Sequence, residues 1–479
     1  MALEAERKRL LRIFGENASG ATADDFARHS GQEYVRSQDH LAFATPKATG
    51  RRLTTWQAYQ AFGLDKLEEV LEHGSAILTI DPFEPAATLR RSREARGLNI
   101  EDIATAVGAT VPEIVNAEDS KQVTSIQLLE KIAVALGLEE STLTARTATA
   151  GDERLAFRLK KMKNFKPDFT PRTVLAFDEA AWVIQKQEIL LDWLGKKINL
   201  RNKGFETDSR YGDKEYPAWQ LGYDLARATR NLLGIKSSDP IESLRDLVEV
   251  RLRIPLVHLS LPNQFAGATV AIGRTRGIAV NVNGLNSNDW VRRATIAHEL
   301  GHLLWDPDEK LESLVVDTFQ DLEDEPPQLK HDWVEARANA FAIEFLAPRE
   351  FALKIFQASS DKKAALRDVM VHFGVSFTSA KFQIWNALER STSLESFRVE
   401  DVDPTDDWKG RESFTNDFFV PDSVPISRRG YFALYVVEAL NKKLISLDSA
   451  ASFLKISKKD VLKNAKAIEE LFRKVHPFI

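Results

Sequence analysis

The chain has 479 residues, of which 43% are hydrophobic and 28% are charged, and its formal net charge is −5 at pH 7. These values predict a globular protein of two to four packed domains without general attraction to nucleic acid, and the absence of cysteine excludes disulfides, cysteine-ligated zinc fingers and cysteine nucleophiles. The first residues lack the apolar core of a signal peptide, and no apolar run approaches the roughly 20 residues that cross a bilayer, so we expect a cytoplasmic protein without a membrane partner.

The first segment, residues 1–85, is predicted to be an N-terminal helical region of unassigned role. Its clearest element is a helix over Thr55–His73, where apolar residues recur at helical spacing. The proline-rich stretch Asp81–Pro85 is typical of a linker and ends this region.

Residues 86–142 carry short amphipathic stretches that are interrupted at Gly97, Gly108 and Ser120. A basic stretch opens the segment at Leu89–Leu98, Ile103-Ala104 and Val107-Gly108 lead to a turn, and Ile114 and Glu118 fall on the helix that follows. A small core is expected to be closed by Ile126, Leu129, Ile132, Ala133 and Leu136. The pattern resembles the lambda-repressor-like (XRE) helix-turn-helix fold. The resemblance implies a small helical domain that binds DNA or another protein.

The charge of this segment decides between these two partners. It contains six Arg or Lys and nine Asp or Glu, a net charge of −3. The helix that would enter DNA begins at Val111-Pro112-Glu113 and offers few hydrogen-bond donors. Without a basic surface the electrostatic part of DNA affinity is small, so protein docking or a homodimer is favoured over DNA binding. The candidate docking residues, for DNA or protein, are Arg90, Arg91, Arg93, Arg96 and Asn116.

Residues 143–215 are predicted to be a helical connector. A joint at Thr147–Gly151 precedes a lysine-rich stretch that we interpret as a solvated face. A long helix is expected over residues 174–198.

The most informative pattern lies in residues 216–395. A strand is predicted over Gly277–Asn283, followed by a helix from Trp290 to Trp305 with Ser287 or Asn288 as its N-cap. This helix contains His298-Glu299-Leu300-Gly301-His302. Two histidines four residues apart lie on one helix face and can bind one Zn²⁺, while the glutamate between them can act as a base.

A hydrolytic zinc site needs a third protein ligand, and Glu335 on a predicted helix over residues 332–346 meets that need. Asn339, one turn further along, is either a residue that orients a metal ligand or an ordinary surface amide. His331 is a weak candidate for stabilising the transition state and is otherwise a loop histidine. The ligand set admits Mn²⁺ or another divalent ion as well as Zn²⁺.

These residues resemble the ImmA/IrrE family of metallopeptidases. The similarity rests on Val280-Asn281-Val282-Asn283, on Ala297–His302, on Glu335–Ala342 and on Leu346-Ala347-Pro348, and it covers about residues 216–390. It implies His298, His302 and Glu335 as zinc ligands and Glu299 as the catalytic base. Family members commonly cleave a helix-turn-helix repressor, which relieves transcription in stress responses or mobile elements.

Two further features of the region concern substrate access. If Val280, Asn281, Val282 and Asn283 lie at a sheet edge, they are a candidate strand for pairing with an extended substrate; the alternative is a buried strand. The acidic segment Asp306–Lys330 is either a lid over the cleft or a plain surface loop. Residues 396–479 are predicted to be a C-terminal helical domain.

The expected fold class is mainly α with a small β-sheet (α+β), with a zincin-like core, a helix-turn-helix domain and a helical C-terminal region. The expected function is a zinc endopeptidase that cleaves a regulatory protein, with a helix-turn-helix repressor as the favoured substrate, in a stress-response, mobile-element or defence setting. The alternative is a DNA-binding transcription regulator whose metallopeptidase-like domain senses metal or ligand without cleavage.

Overall fold

The computed structural model describes residues 2–79, 81–144, 169–206, 208, 215–272, 275–307, 311, 315–318, 333–389, 403–412 and 422–475. Over these residues the fold is mainly α-helical with two small β-sheets, which confirms the predicted fold class. The chain divides into two compact units, Met1–Lys196 with Phe418–Ile479 (unit 1) and Lys197–Asp417 (unit 2). No helix within the described ranges is both long enough and apolar enough to cross a membrane.

Unit 1 contains helices and one antiparallel sheet. Its described helices are Ala2–Phe14, Ala23–His29, Thr55–His73, Ala86–Ala95, Ile100–Val107, Val111–Ala117, Ile126–Ala135, Pro171–Trp193, Tyr431–Asn441, Leu447–Leu454 and Lys458–Val475, with 3-10 turns at Glu140–Thr142 and Ile426–Arg428. The strands are β1 (Glu33–Arg36), β2 (His40–Phe43), β3 (Arg51–Thr54) and β4 (Ser75–Ile77), in the order β3-β1-β2-β4. The prediction of a helical region over residues 1–85 is therefore wrong for the residues that form this sheet. The sequence did not indicate these strands because three or four residues are too few to show an alternating pattern.

The predicted helix-turn-helix segment forms four short helices within unit 1. Asn99 caps the helix Ile100–Val107 by accepting a hydrogen bond from the Asp102 N–H at 2.7 Å, and Gly108 ends it in the left-handed region at φ +67°. The next helix, Val111–Ala117, begins three residues later. The predicted core residues of the last helix, including Leu129 and Ile132, are buried, so the sequence placed this hydrophobic core correctly.

Unit 2 places a mixed sheet beside helices. The strands are β5 (Leu256–Leu259), β6 (Phe265–Ile272), β7 (Thr275–Asn281) and β8 (Val315–Thr318), in the order β5-β7-β6-β8, with β5 parallel to β7 and the other pairs antiparallel. The described helices are Ala218–Leu232, Leu244–Asp246, Asp289–Trp305, Trp333–Leu346, Arg349–Ala358, Lys362–Phe373, Phe377–Ala387 and Asp406–Glu412, with a π-helical turn at Leu247–Arg251 and 3-10 turns at Arg201–Lys203 and Gly284–Ser287. Apolar side chains of the sheet and helices share one core.

Candidate metal centre

The helix Asp289–Trp305, called the motif helix below, carries the two histidines. Asn288 caps it, since its side-chain oxygen accepts hydrogen bonds from the Trp290 N–H at 2.9 Å and the Val291 N–H at 3.3 Å. Arg293 anchors the same helix from a fully buried position, donating to the Ile241 carbonyl at 2.7 Å and pairing with Glu412. These contacts fix the position of the motif helix, and with it the position of the histidines that it carries.

The helix Trp333–Leu346, called the ligand helix below, packs closely on two neighbours. A Cβ atom added to Gly301 would lie 2.7 Å from the Phe341 ring, and one added to Gly222 would lie 2.3 Å from the Arg337 carbonyl oxygen. Side chains larger than glycine at these positions would push the helices apart. The ligand helix crosses the motif helix at Gly301, so a glycine fits this position of the HExxH motif despite its cost in helix propensity.

Three potential ligands converge where these helices meet. The Nε2 atoms of His298 and His302 are 3.0 Å apart, and the Glu335 carboxylate lies 3.1 Å from His298 Nε2 and 3.7 Å from His302 Nε2. Zinc ligands at about 2.0–2.1 Å in a tetrahedron are about 3.3–3.4 Å from one another, so the spacing fits one ion. Both imidazoles are buried, whereas the Glu335 side chain keeps 20% exposure.

The electrostatics of Glu335 also suit a cation site. Burial alone would raise the pKa of the Glu335 carboxyl, but hydrogen bonds and positive charge from His298 and His302 outweigh burial and lower the pKa. The carboxylate is therefore ionised where a metal ligand is needed. Among the described residues, these three are the group of side chains arranged to hold a metal ion.

Asp306 is a site residue that sequence reasoning missed. Its Oδ2 lies 2.8 Å from His302 Nδ1, and its carboxylate also pairs with Arg337 on the ligand helix. When a metal is bound, an ionised Asp306 would favour the neutral His302 tautomer with its proton on Nδ1, which leaves the lone pair of Nε2 available to the ion. The signal was present in the sequence, because Asp306 follows His302 by one helical turn.

Glu299 is held by the neighbouring strand β6. Its side chain is fully buried, and its Oε2 accepts a hydrogen bond from the Thr269 hydroxyl at 2.6 Å. A Cβ atom added to Gly267 would lie 2.9 Å from Glu299 Oε1, so the glycine leaves room for the carboxylate. Thr269 and Gly267 were not singled out from the sequence, because nothing local marks which strand faces the motif helix.

The order of the strands contradicts the prediction that Val280–Asn283 could pair with a substrate. Val280 pairs with His258 of β5 on one side and with Gly267 of β6 on the other, so β7 has no open edge. The side chain of Asn281 forms hydrogen bonds to the backbone: its oxygen accepts from the Leu261 N–H at 2.9 Å, and its nitrogen donates to the Phe265 carbonyl at 2.8 Å. Val282 and Asn283 follow β7, and Asn283 donates to the Leu261 carbonyl. These four residues are structural.

The remaining site predictions lie near the ligand helix or outside the described residues. Asn339 is half-buried one turn beyond Glu335, and its role remains a prediction. His331 lies outside the described residues, as does most of the predicted lid. The described part of that segment includes β8, an edge strand of the sheet that the sequence did not indicate.

The candidate docking arginines of unit 1 separate into two groups. Arg93 makes two hydrogen bonds to the Glu118 carboxylate at 2.7 and 2.8 Å, and Arg96 is fully buried with Nε 2.8 Å from the Asp178 carboxylate. Both arginines form ion pairs inside the protein, with Glu118 and Asp178, so the prediction that they are docking residues is wrong. Arg90 and Arg91 are more than half exposed and Asn116 is exposed, although Arg90 contacts Glu118 and Arg91 pairs with Glu84.

Comparison with known families bears on the centre described above. Residues 258–384 match the family model Peptidase_M78, the IrrE N-terminal-like domain. The match contains both histidines, Glu299 and Glu335, and it supports a metallopeptidase of the IrrE/ImmA type. It covers about a quarter of the chain and leaves the helix-turn-helix segment outside. No curated protein matches the chain.

Proposed function

We propose that the chain is a zinc-dependent endopeptidase that cleaves a regulatory protein, with a helix-turn-helix repressor as its substrate class. The observation that carries the proposal is the convergence of His298, His302 and Glu335, together with the buried carboxylate of Glu299 on the same helix as the two histidines. The match of this region to a metallopeptidase family model supports the same chemistry.

The residues divide the work between binding and proton transfer. His298 and His302 would hold zinc through their Nε2 atoms, with the Glu335 carboxylate as third ligand, and Asp306 would keep His302 in the required tautomer. Zinc, when bound, supplies Lewis acidity that acidifies water and polarises the scissile carbonyl. Glu299 takes a proton from the attacking water and returns it to the leaving amide nitrogen.

Thr269 positions the base for this transfer. Its hydroxyl donates to Glu299 Oε2 and fixes that oxygen, so the carboxylate has one defined orientation. A buried carboxylate with a fixed orientation needs little rearrangement during proton transfer.

The helix-turn-helix segment favours a protein partner. On the helix Val111–Ala117, Val111 and Val115 are 37% and 47% exposed, and the neighbouring cations Arg93 and Arg96 are engaged in internal ion pairs. Two part-exposed valines beside arginines that are paired internally suit contact with another protein better than contact with phosphates. The alternative, a DNA-binding regulator without cleavage, has less support for this reason.

The test compares the purified full-length chain with its Glu299→Gln variant, each incubated with zinc and a helix-turn-helix repressor encoded beside its gene. Glu350→Gln is a matched control, because it makes the same chemical change at an exposed position of unit 2. We expect mass spectrometry to find repressor fragments with the wild type and the control, and none with Glu299→Gln.

Two results would contradict the proposal. Fragments that appear equally with Glu299→Gln would show that Glu299 is not the base of the cleavage. An operator DNA complex that forms with wild type and variant alike, with the repressor left intact, would favour the regulator instead.

A further inference from the structure

A cavity in unit 1, separate from the metal centre, has no part in the proposed cleavage. It has a volume of about 550 Å³ and lies between the helix Ile126–Ala135, the helix Leu447–Leu454 and the start of the helix Lys458–Val475. Part of its wall is apolar and is formed by Val107, Val134, Ala135, Ala451 and Ile456. Its size is that of a site for a small organic molecule.

The polar part of the wall is strongly basic. Five cations line the cavity, namely Arg51, Lys131, Arg428, Lys455 and Lys458, with Asp448 as the acidic lining residue. Arg51 pairs with Glu130, and Lys458 lies 2.5 Å from Asp448. Arg428 and Lys455 share one carboxylate, that of Glu179, at 3.0 Å each. Lys131 is exposed and forms no ion pair with any described residue. The wall therefore keeps an excess of two positive charges after every described ion pair is counted.

Arg428 adds an unused donor to this excess. The residue is fully buried, and its Nη1 donates to the Phe453 carbonyl at 2.7 Å while its Nε donates to Glu179. Its guanidinium carbon lies 4.5 Å from the Trp182 ring centroid, so the group is held in place on both sides. Its Nη2 meets no acceptor in the described structure. A buried donor without an acceptor is costly, and a bound anion would satisfy it.

We propose that this cavity binds an amphiphilic organic anion, a carboxylate or phosphate carried on an apolar body. Because Arg428 and Lys455 share the single negative charge of Glu179, they can also bind the charged group of the ligand. The apolar wall that includes Val134 and Ile456 would contact the apolar body of the ligand. An inorganic ion would leave that wall uncovered, and a neutral apolar molecule would leave the two excess charges unmatched. The ligand would join the last helix of the helix-turn-helix segment to the C-terminal helices.

The test uses anilinonaphthalene sulfonate, a fluorescent anion on an aromatic body, against N-phenylnaphthylamine, the same type of body without the charge. The full-length chain is compared with the double variant Lys131→Gln/Lys455→Gln, which changes two exposed or part-exposed lysines and spares the buried Arg428. Lys466→Gln is the matched control, because Lys466 is 86% exposed on the helix Lys458–Val475 and does not line the cavity.

We expect one sulfonate molecule per chain, about tenfold weaker binding in the double variant, unchanged binding in the control and much weaker binding of the uncharged probe. Hydrogen exchange should slow over residues 126–135 and 447–458 when the sulfonate binds. Equal affinity of the double variant and the wild type, equal binding of the two probes, or protection elsewhere in the chain would overturn the assignment. The outcome is independent of whether the chain cleaves protein.

Discussion

Replacing Asp306 tests how the site controls the protonation of His302. The carboxylate lies 2.8 Å from His302 Nδ1, is buried, and pairs with Arg337 on the ligand helix. Asp306→Asn keeps an oxygen that can accept the Nδ1–H bond but removes the charge. Asp306→Ala removes both and leaves Arg337 as an unpaired buried cation.

The expected magnitudes follow from these two losses. Loss of a carboxylate that accepts a hydrogen bond from a metal-bound histidine typically weakens metal affinity about 10–100-fold, which corresponds to about 1.4–2.7 kcal/mol of binding free energy. We expect Asp306→Asn near the lower figure and Asp306→Ala near the upper one. Breaking the buried pair with Arg337 should also destabilise the metal-free protein by about 3–5 kcal/mol in the alanine variant.

Zinc affinity is measured by competition with a chromophoric chelator, and stability by denaturant unfolding without metal. Asp289→Asn is the matched control, because Asp289 lies at the other end of the motif helix and pairs with Arg292. It should bind zinc as the wild type does. A folded Asp306→Ala protein with wild-type zinc affinity would refute the role assigned to Asp306.

Three other outcomes are expected. Glu299→Gln should bind zinc as tightly as the wild type and lose about 10²–10⁴-fold in cleavage rate, measured with a quenched-fluorescence peptide derived from the substrate; undiminished cleavage would exclude Glu299 as the base. Gly301→Ala should lower the free energy of unfolding by about 1–3 kcal/mol, because the added Cβ meets the Phe341 ring, and Gly301→Ala/Phe341→Leu should recover part of that loss in urea titrations. Burial would raise the pKa of Glu179, but Arg428 and Lys455 outweigh burial and lower the pKa from 4.5 to about 2. The ionised carboxylate therefore stabilises unit 1 above about pH 4.5, and this stabilisation is lost as the pH falls toward 2. Glu179→Gln should therefore lose less stability across this pH range, measured by acid titration followed by circular dichroism.

The two helices that carry the candidate metal ligands were the part of the molecule most readily predicted from the sequence. The motif helix has a cap, helical periodicity and both histidines within one local segment, and Asn288 is indeed its N-cap. Glu335 lies on a second helix, which was predicted over residues 332–346 and spans Trp333–Leu346. Local patterns were sufficient because each helix contributes its ligands independently of the other.

Partners across the fold could not be predicted in the same way. Whether β7 is an edge or an interior strand depends on β5 and β6, and the alternation of its residues is the same in both cases. Arg96 appeared to be a surface cation because its partner, Asp178, is 82 residues away. The sheet of residues 33–77 was missed because its strands are only three or four residues long.

Zinc K-edge absorption of the purified, zinc-loaded protein, with its Glu335→Ala variant, tests the central claim most directly. We predict one zinc per chain with two imidazole nitrogens and a carboxylate oxygen at about 2.0–2.2 Å, and loss of the carboxylate shell in the variant. A wild-type spectrum without two imidazoles, or one unchanged by removal of Glu335, would contradict the account.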